Sequence, residues 1–172
     1  MAIVIQFDWS KIEWTVISLW PNLEFPSVGS IHSKLHLRSG SLEMAYECYI
    51  PGESLRAFIA DLHALQRGKP APAVLHAEEE SPGEVLWLLP PVHPDADIRV
   101  RFAWGDTSWE SIPQPEAYVC PYGTDSGPSA GFYIYGQGLT MNPAHLPALI
   151  DALEDLMLEY DATADAMRRE SP

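Results

Sequence analysis

The side chains of this chain that could do chemistry are six histidines, two tight acid groups, two cysteines and six tryptophans. His32 and His36 stand four apart on a segment that alternates like a strand. At ~3.3 Å per residue they share a face but sit about 13 Å apart, too far to hold one metal ion. Glu78-Glu79-Glu80 and Asp95-Ala96-Asp97 could act as general acid and base or as hard-metal ligands. The Glu run lacks the Asp-x-Asp-x-Asp-Gly frame of a calcium loop. The Asp pair flanks a strand entry, where capping and solvation use such residues. There is no phosphate-cradling glycine loop, no Gly-x-Ser-x-Gly and no His-Glu-x-x-His. Gly136-Gln137-Gly138 runs into Leu-Thr rather than opening a helix. No catalytic residue, cofactor or metal is expected. Cys48 falls on an alternating strand and Cys120 in a Pro/Tyr/Gly-rich segment, so both read as buried thiols of a reducing compartment.

Charge and aromatics point instead to binding. The net charge is −14, and residues 70–167 carry all of it, with 16 Asp/Glu against Arg99 and Arg101 alone. Such a surface repels nucleic acid and anionic lipid and attracts a basic protein. Trp14, Trp20, Trp87 and Trp104 lie in strand patterns and are expected in the core. Trp109 differs: it sits in Gly105-Asp106-Thr107-Ser108-Trp109-Glu110, a turn-like segment with an acid on either side. An exposed indole between carboxylates suits a cationic partner. The candidate partner-binding residues are therefore Glu78, Glu79, Glu80, Asp106, Trp109 and Glu110.

The elements that must position these residues are legible from periodicity. Ile31, Ser33, Leu35 and Leu37 alternate with His32, Lys34, His36 and Arg38, and Leu42, Met44, Tyr46, Cys48 and Ile50 alternate with Glu43, Ala45, Glu47 and Tyr49. With Ser39-Gly40 between them the two runs predict a β-hairpin whose outer basic residues meet Glu43 and Glu47. Leu55, Phe58, Ile59, Leu62 and Leu65 predict an amphipathic helix over 53–67, stopped at Gly68. Strands are expected over 74–78, 84–89, 97–104, 117–120 and 132–140. Residues 105–131 are otherwise irregular. Asn142 and Pro143 start a last helix with the stripe Leu146, Leu149, Ile150, Leu153, Leu156 and Met157. Its other face bears Asp151, Glu154, Asp155 and Glu159, with no basic residue three or four positions away.

Together these predict an α+β fold: a largely antiparallel sheet of about six to eight strands, with the 53–67 and 143–160 helices packed on one face. Residues 1–160 read as a single globular domain and 161–172 as a frayed tail. No apolar run reaches the ~18–20 residues of a membrane span, and the first residues read as a strand rather than a signal peptide, so a cytoplasmic protein is expected.

The hairpin ending in Tyr-Glu-Cys-Tyr-Ile precedes the helix of Glu53-Ser-Leu-Arg-Ala-Phe-Ile-Ala-Asp-Leu. After an acidic loop, a last strand passes through Asn142-Pro143-Ala144-His145-Leu146 into a Leu-rich helix. Over roughly residues 30–160 this order resembles the WapI-like immunity proteins of bacterial polymorphic-toxin systems. The resemblance implies a non-enzymatic, acidic protein that occludes a basic toxin domain such as a nuclease. It supplies no catalytic residues. Two other readings fit the same residues: a small carboxylate- or metal-dependent hydrolase, and a structural subunit of a bacterial complex.

Overall fold

The computed structural model describes residues 1–7, 10–23, 29–39, 42–78, 84–93, 96–104, 118–122, 131–135 and 140–170. The fold is α+β. Four strands, β1 (Ala2–Gln6), β2 (Ser10–Trp20), β3 (Ser30–Ser39) and β4 (Leu42–Pro51), form one antiparallel sheet in sequence order. The helix α1 (Gly52–Gln66) follows β4 directly. A second antiparallel sheet takes β5 (Ala73–His76), β6 (Glu84–Leu89), β7 (Ile98–Trp104), β8 (Tyr118–Tyr122), β9 (Gly131–Tyr135) and β10 (Thr140–Met141). Its order is β5-β6-β7-β9-β8, with β10 paired to Ile98 and Arg99 of β7. The strands thus divide between two sheets, and the strand expected over 132–140 is represented by β9 and β10.

The hairpin forms as its alternation requires. Ser39 pairs with Leu42, and Ile31, Ser33, Leu35, Leu37, Cys48 and Ile50 are buried. On the outer face His32 meets Glu47 at 3.2 Å, His36 meets Glu43 at 2.8 Å, and Arg38 also reaches Glu43. Both histidines are half-buried by these contacts rather than freely solvated. Ser33, a buried polar side chain on the inner face, accepts from the Trp14 indole at 2.8 Å, which satisfies a donor buried with the ring. Cys48 is fully enclosed, and burial pushes its thiol up to about 12.

Trp20 corrects the expectation that it joins Trp14 in the core. Both are even-numbered, and in an unbroken strand they would share a face. The β2–β3 register shifts between Val16 and Ser18. That bulge inverts the alternation, so Leu19 pairs with buried Ile31 while Trp20 stands 59% exposed. Trp87 is buried as expected.

The inner faces of both sheets and the apolar stripes of both helices close on one core cluster. Gly68 ends α1 with a φ of 76°, a conformation in which a side chain would be strained. Ser54 at the start of α1 clips the end of β5, donating to the His76 carbonyl and accepting from its amide. Asn142 caps the other helical segment by accepting from the Ala144 amide at 2.9 Å. A 3-10 turn (Pro143–His145) then leads into α2 (Leu146–Glu170). This corrects the frayed tail expected from residue 161. Burial of Ala164 holds the added turns to the core, Arg168 pairs with Asp165 at 2.7 Å, and Arg168 and Arg169 complement the negative helix end.

Candidate functional site

The exposed side of the α1–α2 pair carries Asp151, Glu154, Asp155, Glu159, Asp161 and Asp165 from α2. Both helices bury an apolar stripe, so their charged sides face outward together. Two cross-links join them. Arg56 of α1 bonds Asp161 of α2, and His63 of α1 meets Glu154 of α2 at 2.8 Å. Each partner pair is seven residues apart on its own helix, and the numbers run in opposite directions, as antiparallel packing requires. Glu154, with no basic residue three or four positions away on its own helix, finds His63 on the neighbouring one.

Between these cross-links lies an open groove of about 420 Å³, lined by Arg56, Ile59, Glu154, Met157, Leu158 and Asp161. Its rim is charged and its floor apolar. Leu158 is 68% exposed, although the other leucines of α2 are buried. Beside it the carboxylates of Asp151, Asp155 and Glu159 are exposed and have no ion-pair or hydrogen-bond partner among the described residues. They form two consecutive like-charge pairs at i, i+4, a spacing that opposes helix formation by a few tenths of a kcal/mol each. The helix tolerates this because Leu149, Ile150, Leu153, Leu156 and Met157 anchor its other side.

Behind the groove, Tyr160 fastens α2 to the sheet. Its ring lies under the Arg56 guanidinium, 6.0 Å from the centroid. Its hydroxyl is buried beside Gly29 at the entry to β3, where the Gly29 carbonyl accepts from the Gly52 amide at 3.0 Å. Only a residue without Cβ fits there, since a Cβ on Gly29 would lie 2.2 Å from the hydroxyl.

Of the six residues singled out from sequence, Glu78 is described: it is half-buried, and its amide donates to the Tyr49 carbonyl at 2.9 Å, tying the end of β5 to β4. Glu79, Glu80, Asp106, Trp109 and Glu110 lie outside the described residues. The helical groove was missed as a unit, although the reciprocal seven-residue spacing of Arg56/His63 and Glu154/Asp161 was a signal for it. Among the described residues no group of three or more His, Cys, Asp or Glu side chains could hold a metal, and no helix is long and apolar enough to cross a membrane. Comparison with protein-family models, with curated proteins and with solved structures returns no match.

Proposed function

We propose that this chain is a non-enzymatic binding protein that docks a basic protein on its α1–α2 face. The partner we infer is a toxin domain such as a nuclease, which the chain would occlude as a cytoplasmic immunity protein. One observation carries the reading: Asp151, Asp155 and Glu159 stand exposed and unpartnered beside an apolar groove with Leu158 at its lip. Carboxylates held at a cost to their own helix are what a lysine- or arginine-bearing surface would neutralise. The groove offers the desolvated centre that charge alone lacks. The concentration of negative charge in residues 70–167 and the pattern-level resemblance to WapI-like proteins support the same reading. Glu79, Glu80, Asp106, Trp109 and Glu110 remain proposed contacts on charge and composition.

The test is a search of the neighbouring genes for a basic toxin domain, followed by its co-expression with this chain. The expected result is protection of the host and a stable complex. The Asp151→Lys, Asp155→Lys, Glu159→Lys triple variant should lose both, with its thermal melt retained. A complex indifferent to those three changes would remove the helical face from the proposal. Metabolic enzymes as the only gene neighbours, with no basic partner retained, would remove the immunity role.

A further inference from the structure

The outer face of the four-stranded sheet differs electrostatically from the helical side. Lys11, Lys34 and Arg38 stand there against Glu13, Glu43 and Glu47, so its formal charge is balanced with histidine neutral, in a molecule of net −14. The carboxylates are largely engaged by neighbours on the same face: Glu13 by Lys11, Glu43 by His36 and Arg38, and Glu47 by His32.

One end of this face is aromatic. His32 and Tyr49 stack with centroids 4.6 Å apart, and Trp20 meets Tyr49 edge to face at 6.4 Å. The bulge in β2 is what turns Trp20 outward, and Ile17, which falls within the register shift, is exposed as well. Bulges commonly re-aim a side chain in this way. The Trp20 indole N–H already donates to the Ser18 hydroxyl at 2.7 Å. The ring can therefore be buried without orphaning its donor, which removes the main polar cost of covering a tryptophan. Val4, on the edge strand β1 where it pairs with Glu13, is exposed on the same face at 56%.

We propose that this sheet face joins two copies of the chain, face to face, with Trp20 and Tyr49 as anchors. Charge selects a second copy. Molecules of net −14 repel one another wherever their acidic surfaces meet, and this balanced face is one through which they can approach. In a two-fold interface the same patch serves both partners, so each basic row can meet an acidic row of the other copy. The size suffices. The 36 residues of the four strands, each ~3.4 Å long in a strand ~4.8 Å from its neighbour, cover about 600 Å² of plane per copy. Twice that reaches the ~1,200 Å² at which specific interfaces begin. The helices pack on the opposite face of this sheet, so the pairing would leave the α1–α2 groove free and does not depend on the function proposed for it.

Sedimentation velocity on the full chain, from micromolar to sub-millimolar concentration, tests this at ~0.15 M and ~1 M salt, where the Debye length falls from about 8 to about 3 Å. The expected result is a concentration-dependent dimer that tightens as salt screens the −14 repulsion. Trp20→Lys should weaken it roughly 30-fold, as loss of an interface anchor does, and Tyr49→Lys should act in the same direction. Trp20 is 59% exposed, so the Trp20→Lys melt should be nearly unchanged, whereas Tyr49→Lys gives up its stack on His32 and should melt somewhat lower; should either variant fail to fold, Val4→Lys on the same face replaces it. Asp155→Asn on α2 should leave the dimer intact. A monomer at every concentration and both salt levels overturns the proposal. So does a dimer indifferent to all three lysine variants, or capture of a different protein by this face while the chain itself stays monomeric.

Discussion

At the scale of single residues, Tyr160 does most to join the parts. It is buried, yet its hydroxyl has no hydrogen-bond partner among the described residues, and burial raises its pKa. An unsatisfied buried hydroxyl costs about 1–3 kcal/mol that the ring's packing must offset. Tyr160→Phe is therefore expected to leave stability unchanged or raise it by up to ~1 kcal/mol in urea unfolding. Gly29→Ala should lower it by roughly 1–3 kcal/mol through overpacking. Combining the two should not restore it, because the Asn22 backbone nitrogen would still lie 2.6 Å from the new Cβ. Glu43 makes a second residue-scale case. A hydrogen bond from His36, aided by Arg38, holds its carboxyl below the ordinary carboxylate range, and Lys11 does the same for Glu13. A carboxylate depressed on folding adds stability at pH above its ordinary value and loses it as pH falls through the depressed one. Thermal melts between about pH 5 and 3 should show a shallower acid-side decline for Glu43→Gln than for the parent, while the two converge at the acid end. Glu43 is well exposed despite these contacts, so the difference should be small.

At the scale of elements, α2 serves two demands that oppose each other. Its inner stripe is packed, while its outer side sets Asp151, Asp155 and Glu159 at like-charge spacing. Changing Asp155 to Lys turns two repulsive i, i+4 pairs into attractive ones. It should stabilise the chain by a few tenths of a kcal/mol. The same change should weaken association with a basic partner. Paired melts and stopped-flow association on the one variant check both signs. Greater stability with unaltered association would place the contact away from this helix. The bulge in β2 belongs to the same scale. One inserted residue moves Leu19 to the core side and Trp20 to solvent, so a single backbone irregularity decides which surface carries an indole.

For the whole molecule, the two surfaces should respond to salt in opposite directions. Association of the acidic helical face with a basic partner is accelerated by long-range attraction, and salt screens it. Self-association through the balanced sheet face is opposed by the net charge, and salt relieves that repulsion. Raising ionic strength should therefore slow the first and strengthen the second in one preparation. A common sign for both would mean that one surface serves both contacts. Kinetics against a basic partner and sedimentation of the free chain, run across the same salt series, supply the comparison.

The sequence by itself determined every element whose pattern is local. The 31–50 hairpin, the α1 stripe with its stop at Gly68, the Asn142-Pro143 start of the last helical segment and the accumulation of charge after residue 70 all follow from spacing within a few residues. So does the α+β class, since neither helix can bury its stripe without a sheet. Tertiary structure decided what depends on distant partners or on one backbone irregularity. No local signal separates the described strands into two sheets. The bulge that exposes Trp20 leaves only a faint local mark, the Val16-Ile17 apolar doublet after which the apolar positions pass from even to odd numbers. Glu154 looked unpartnered because His63 is 91 residues away along the chain. Helix α2 outruns its expected end because Ala164 finds the core and Arg168 finds Asp165. The candidate groove is of this second kind. Its charges can be read along each helix, but only antiparallel packing sets Arg56 against Asp161 and opens apolar floor between the helices.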